Sequence, residues 1–338
     1  MTDWIKYLLS LTEARGISGD EGRVREAIRS LLPEQLSCET DPLGNLLVYK
    51  PGVSHELLMV SAHMDEPGLL VETADSKGGV RFTAAGEMDS RVLAGRHVWI
   101  CGRNGDIPGV IGVKPVHVIS AKERETPVEP DEMYIDIGCT GKEEALGLVR
   151  PGDSVVFDGN AVPFGDGLVR GKALESRSGC AVLLELLRSG ETFPYDIAAV
   201  FTSQRRTGSA GMKTAAFRLQ PKAAVVVDSA PSAFGVEKGP VVSGGPVLSL
   251  REKRGFYDRE FYRFALETAG KLELPVQPKA AAFGTSDAAA AQTAGKGCRT
   301  LEISIPTRNA GTACCIQSLT DLDGVYRLVH QIVREIKL

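Results

Sequence analysis

Leu57-Leu58-Met59-Val60-Ser61-Ala62-His63-Met64-Asp65-Glu66 is an apolar run that ends on an imidazole and two carboxylates. Near-continuous apolar runs of this length suit strands covered on both faces, the kind found in open α/β sheets. Ligands in such sheets gather outside the carboxyl ends of the strands. His63 stands at that end, and the His-x-Asp spacing lets Asp65 orient the ring and set its basicity.

Outward from this strand the pattern stays α/β on both sides of a break. Upstream, Asn45 to Lys50 reads as a second strand behind the turn Asp41-Pro42-Leu43-Gly44. Trp4, Leu8 and Leu11 predict a first helix. Ser18 and Glu21 form a capping-box pattern before a second helix faced by Val24, Ile28 and Leu31. From Gly68 to Gly167 short β-rich runs alternate with Gly, Asp and Pro turns: Leu69–Thr73, Val80–Ala84, Val98–Cys101, Val110–Val113, Met133–Ile137 and Ser154–Phe157. Helical periodicity there is confined to Lys142–Leu148. After Gly171 the α/β rhythm returns, with a buried helix over Gly179–Leu187, strands at Asp196–Thr202, Ala223–Val227 and Leu301–Ile305, and a helix over Tyr257–Ala269. The last helix is capped by Thr320 and faced by Val325, Leu328, Val329, Ile332, Val333 and Ile336. The expected fold is α/β, a central mixed sheet flanked by helices and interrupted by a small β-rich domain. Residues 1–67 and 168–338 make the discontinuous α/β domain, and 68–167 the insert.

Bulk properties narrow the function classes. The 338 residues are 43% hydrophobic, 24% charged and carry a formal net charge of −4. No Lys/Arg run suggests nucleic acid, no apolar stretch suits a bilayer, and no signal-peptide pattern opens the chain. The expectation is a cytoplasmic protein. Seven scattered cysteines without a CxxC argue against a disulfide framework or structural zinc, and most read as buried thiols. Of the five histidines, His55 sits in a polar turn, His97 and His117 in the β-rich module and His330 in the last helix. Only His63 ends an apolar strand beside acidic residues. Asp228 ends Ala223–Val227, and Glu175 precedes a small-residue helix start. Alone, the first reads equally as a turn former and the second as a first-turn acidic residue. Together with His63 they would suit a divalent metal.

These motifs resemble the tetrahedral aminopeptidases, a cytoplasmic di-zinc or di-cobalt family that includes glutamyl aminopeptidases and proteins often mislabelled endoglucanases. The resemblance runs over nearly the whole chain. It is carried by Ser18-Gly19-Asp20-Glu21, His63-Met64-Asp65-Glu66-x-Gly68, Lys114-Pro115-x-His117, Tyr134-Ile135-Asp136-Ile137-Gly138, Gly171-Lys172-Ala173-Leu174, Arg177-x-Gly179-Cys180 and Ser304-Ile305-Pro306-Thr307-Arg308, in the family's order. By resemblance, His63 and Asp228 would hold the first metal and Asp65 would orient His63. Glu175 stands where the family has a bridging aspartate. The insert would be the lid and dimerisation domain of a homo-oligomer, from a dimer up to a dodecamer.

The chain departs from the family at the remaining positions. The family's Gln-Glu-Glu-x-Gly, which supplies the general base and a second-metal ligand, reads Gln204-Arg205-Arg206-Thr207-Gly208. Its Pro-x-Arg-Tyr-x-His, ending in another second-metal ligand, reads Pro306-Thr307-Arg308-Asn309-Ala310-Gly311. Arginine cannot deprotonate in a protein, so it neither ligates nor serves as a base. Loss of a positioned base alone costs on the order of 10²–10⁴ in rate. The expectation is an aminopeptidase homologue impaired in catalysis, with the arginines supplying the positive charge of missing metals by pairing with Glu175 or Asp228. Strand alternation would send one arginine into the cleft and the other away. At most one divalent ion (Zn, Co or Mn) is expected, on His63, Glu175 and Asp228. Two alternatives stand beside this: a single-metal hydrolase of small peptides with Glu66 as its base, and a non-hydrolytic peptide or amino-acid binder in which an arginine grips a carboxylate. An active paralogue is a candidate partner.

Overall fold

The architecture is that of a computed structural model, which describes residues 2–232, 239–253, 255–279 and 285–338. Two helices open the chain, α1 (Trp4–Glu13) and α2 (Gly22–Leu31), followed by strands β1 (Ser37–Thr40), β2 (Leu46–Lys50) and β3 (Ser54–His63). The chain then enters a closed barrel of β4 (Gly68–Ala74), β5 (Val80–Ala84), β6 (His97–Gly102), β7 (Gly105–Gly112), β8 (Tyr134–Asp136) and β9 (Ser154–Phe157), with helix α3 (Lys142–Leu148). It returns through β10 (Val162–Phe164) and β11 (Leu168–Gly171). Then come α4 (Leu174–Arg188), β12 (Tyr195–Thr202), α5 (Ala210–Leu219) and β13 (Ala223–Ser232). The short strands β14 (Val247–Ser249), β15 (Arg251–Glu252) and β16 (Gly255–Phe256) lead to α6 (Arg259–Lys271), β17 (Gln277–Pro278) and α7 (Asp287–Thr293). The chain closes with β18 (Arg299–Arg308), β19 (Cys315–Ser318) and α8 (Leu319–Glu335).

Among the described residues eleven strands form the main sheet along the path β1-β2-β12-β3-β13-β18-β19-β11-β10, with β14 and β17 off it. Its centre, β12-β3-β13-β18, is parallel and its flanks are antiparallel, so the sheet is mixed. One face buries Leu58, Val60, Ala199, Val225 and Ile303 against α1, α2, α4, α6 and α8. The other buries Met59, Ala198, Val200 and Val226 against α5 and α7. The barrel has a separate core of Leu69, Val80, Ile100, Ile135 and Val155. Beneath the parallel centre, a Cβ on Gly179 of α4 would meet the Ala62 Cβ at 2.9 Å and the Val227 oxygen at 3.1 Å. Glycine there lets the helix lie against the sheet one residue short of His63.

Several local expectations are corrected. The Ser18–Glu21 capping box does not form: α2 starts at Gly22 with no side-chain cap, because the Ser18 hydroxyl is taken by Asp65 at 2.5 Å. Ser318, not Thr320, caps α8 and accepts from the Asp321 amide. Helix α4 starts five residues before Gly179 and carries Glu175 in its first turn. Asp228 does not end its strand. Parallel pairing with β18 carries β13 on to Ser232, whereas pairing with β3 stops at Val226. Asp228 therefore sits where the sheet splits, at the mouth of a crevice.

Candidate functional site

The crevice is a cleft of about 440 Å³ lined by His63, Glu175, Arg205, Arg206, Asp228 and Gly311, with Glu87, Lys253, Lys279 and Ser286 among its other walls. His63 is the last residue of β3 and pairs across the sheet with Thr202, the last of β12. Past Thr202 the chain leaves the strand, and Gln204 takes a left-handed φ of 54°. Four consecutive amides are then captured by side chains of other elements. Ser203 N–H donates to Asn45 Oδ1 (2.9 Å) and Gln204 N–H to Glu21 Oε1 (2.8 Å). The Arg205 and Arg206 amides donate to the two oxygens of Asp65 (3.1 and 2.9 Å). This turn overrides strand alternation, so both arginines enter the cleft.

Each guanidinium takes one carboxylate. Arg205 Nη2 donates to Asp228 Oδ2 at 3.2 Å and to the Thr285 carbonyl at 2.6 Å. Arg206 Nη1 donates to Glu175 Oε1 at 2.5 Å, and its Nη2 donates to the Glu87 carbonyl at 2.8 Å. The second oxygen of Glu175 accepts from the Gly311 amide. Gly311 has φ 80°, and a Cβ there would lie 3.9 Å from Arg206 Nη2. The guanidinium thus lies beside the space a side chain at 311 would enter. The fit is incomplete at one atom type: the Nε–H of each arginine is buried without an acceptor among the described residues.

His63 lies between two carboxylates, with Nδ1 3.1 Å from Asp65 and Nε2 3.6 Å from Asp228. Burial disfavours the charged ring, but Asp228 and Asp65 outweigh it and raise its pKa to about 9. Burial likewise opposes ionisation of Asp65 and Asp228. Hydrogen bonds from His63 and Ser18 and the charge of His63 nonetheless hold Asp65 well below the usual carboxylate range, and Arg205 with His63 does the same for Asp228. Three cations (His63, Arg205, Arg206) thus face the carboxylates of Asp65, Asp228 and Glu175, with Asp287 also acting on Arg205 and His63.

Glu66, the nearest alternative base in sequence, is not in the cleft. It is 1% exposed, accepts Lys172 Nζ at 2.8 Å on both oxygens and Arg177 Nη2 at 3.0 Å, and also caps the Gly16 amide. Two features escape the sequence reading. Asp287, the first residue of α7, is buried and accepts the Thr202 hydroxyl at 2.5 Å; burial pushes its pKa up. Lys279 Nζ, on the cleft wall, donates to the buried Glu302 at 2.8 Å. Ser286 preceding an alanine run was the available signal for a helix start at Asp287.

A family model described as M42 glutamyl aminopeptidase matches residues 44–328. The chain belongs to the M42 glutamyl aminopeptidase family. A putative aminopeptidase of Acetivibrio thermocellus is 32% identical to it over 335 residues, covering 98% of each chain. The lysyl aminopeptidase of Pyrococcus furiosus is 27% identical over 346 residues, covering 100% of this chain and 98% of the relative. Among solved structures, the Pyrococcus horikoshii TET1 peptidase, described as assembling into a tetrahedron or a large octahedral shell, superposes with a TM-score of 0.91 at 30% identity. That superposition covers 99% of this chain and all of the other.

Judged by donor chemistry, this M42 chain does not fit a pair of divalent ions. The carboxylates of Glu175 and Asp228 are engaged by guanidinium groups, which repel cations and have no lone pair to offer. Among the described residues no three His, Cys, Asp or Glu side chains form a group able to hold a metal. The expected set of His63, Glu175 and Asp228 is brought to one cleft, but Glu175 turns its oxygens to Arg206 and Gly311.

Proposed function

We propose that this M42-family chain is impaired or inactive as a peptidase and serves as a binding or regulatory subunit. The observation that carries the reading is the double ion pair, Arg205 on Asp228 and Arg206 on Glu175. Each guanidinium stands where the family resemblance places a carboxylate, and each neutralises an anion that would otherwise face a metal. An isolated buried carboxylate would cost several kcal/mol, so a fixed cation is the simplest replacement for a lost metal charge. In this reading Arg205 occupies the position of the general base, and Arg206 and Gly311 occupy the second-metal positions. At most one divalent ion is kept, and Glu175 could join His63 and Asp228 on it only by giving up Arg206 and Gly311.

The reading extends to context. Residues 1–67 and 168–338 act as the α/β domain and 68–167 as the lid and dimerisation insert, whose last stretch lends β10 to the edge of the main sheet. The chain assembles as a homo-oligomer, or beside an active paralogue, in the cytoplasm. Among the described residues no helix is long and apolar enough to cross a membrane. A second reading, non-hydrolytic binding of a small peptide or amino acid, has its own support. Arg205 keeps 23% of its side chain exposed, and among the described residues no partner takes its Nη1, so that edge can meet a ligand carboxylate.

The test is an assay on a panel of aminoacyl-p-nitroanilides with added Zn²⁺, Co²⁺ or Mn²⁺, together with metal analysis of the purified protein. The expected outcome is turnover at least about 10²-fold below an active M42 enzyme, with fewer than two metal equivalents per chain. Robust turnover abolished by His63→Ala, or two tightly held ions per chain, would overturn the proposal.

A further inference from the structure

Arg206 touches more than the α/β sheet. Its Nη1 holds Glu175 on the first turn of α4, and its Nη2 holds the carbonyl of Glu87, which lies in the segment after β5 of the barrel. Its side chain is 9% exposed. Close packing backs the contact: a Cβ on Gly86 would come within 2.9 Å of the Arg206 carbonyl oxygen and 3.1 Å of its Cβ. Gly86 has φ 100°, so this approach uses glycine both for its backbone angle and for its missing side chain. Gly311 completes the arrangement by pinning the other oxygen of Glu175 and leaving the space next to Nη2 free of a side chain.

We infer that Arg206 is a latch that fastens the barrel to the α/β body across the cleft and sets the width of its mouth. Glu87 and Glu175 both line the cleft, from the barrel and the body respectively. One guanidinium joined to both spans the opening and ties the two walls together. A planar fork suits this task, because its two ends donate in fixed directions at once, which a lysine ammonium on its flexible stem does not. Among the described residues Arg205 makes no such span: its partners Asp228 and Thr285 both belong to the body. The inference stands on these contacts and holds whether or not the chain hydrolyses peptides.

Hydrogen–deuterium exchange on the full-length protein tests it, comparing wild type with Arg206→Gln, Arg206→Lys and, as a control, Arg205→Gln. Losing a charge-assisted bond that closes a local contact should raise exchange in residues 85–93 on the order of tenfold or more. The rise is expected in both Arg206 variants, smaller in Arg206→Lys, and absent from that segment in Arg205→Gln. Amides of β13, in the sheet centre, report global stability and should stay unchanged. Unchanged exchange at 85–93 in a folded Arg206→Gln protein would overturn the latch. An equal rise at 85–93 and in β13 would also overturn it, since Arg206 would then only stabilise the fold as a whole.

Discussion

Replacing Arg205 with methionine tests the charge balance of the cleft most directly. The substitution keeps most of the side-chain volume and removes the partner of Asp228, which is 2% exposed, and the donor to the Thr285 carbonyl. Breaking a buried ion pair from one side costs about 3–5 kcal/mol. Arg205 is 23% exposed and His63 still faces Asp228, so solvent and the imidazole offset part of that. The expected loss is about 2 kcal/mol at pH 7. Its sign with pH is fixed by Asp228. Arg205 lowers that pKa, so the stabilisation it confers is present above the unfolded value of 3.8 and fades as pH falls below it. Denaturant unfolding of wild type, Arg205→Met, Asp228→Asn and the double variant measures the coupling as a cycle. A coupling energy near zero at pH 7 would refute the reasoning.

Two other outcomes follow from the same geometry. His63 rises from 6.5 to about 9 on folding, a difference of about 3 kcal/mol that is fully present below pH 6.5 and lost as pH climbs through 9. Wild type should therefore lose stability between pH 6.5 and 9 more steeply than His63→Gln, as read by parallel denaturant titrations; identical slopes would contradict the imidazolium. Gly311→His alone should destabilise by about 1–3 kcal/mol, because φ 80° disfavours a side chain and the new one approaches the Arg206 guanidinium. Adding Arg206→Glu without divalent metal should deepen that loss, because it leaves Glu175 without its cation and beside a second carboxylate; a double variant as stable as Gly311→His alone would contradict the ion pair.

Some of this was legible from residue order and some was not. The strand ending at His63 could be read because a parallel strand buried on both faces is apolar at nearly every position. The β-rich texture after Gly68 announced the barrel strands for the matching reason, short alternating runs cut by turns. Helices α5 and α7 were missed: their buried residues are mostly Ala, Gly and Met, which draw no amphipathic stripe. Tertiary hydrogen bonds defeated the local grammar at three places. Ser18 was spent on Asp65 rather than on a helix cap. The arginine pair was held in a turn rather than alternating as in a strand. Glu66, adjacent in sequence to the site, was drawn away by Lys172 and Arg177. The identity of the cleft residues came from motif order. Their pairing is a property of three-dimensional distance that no spacing rule encodes.

The Glu66–Lys172 contact has a consequence for how the molecule is put together. Glu66 stands two residues before the first barrel strand, and Lys172 follows directly on β11, where the chain rejoins the main sheet. The two lie 106 positions apart in the chain, yet their charged atoms are 2.8 Å apart. Gathering the ends of so long an excursion costs roughly 4 kcal/mol of chain entropy by the logarithmic rule, and a buried clamp at the neck opposes that cost. The neck thus gathers both chain crossings, one of several ties to the body beside Arg206 on Glu87 and Arg15 and Arg23 on Asp106. Cutting the barrel out and rejoining the neck with a short bridge should leave the parent sheet's strand order intact.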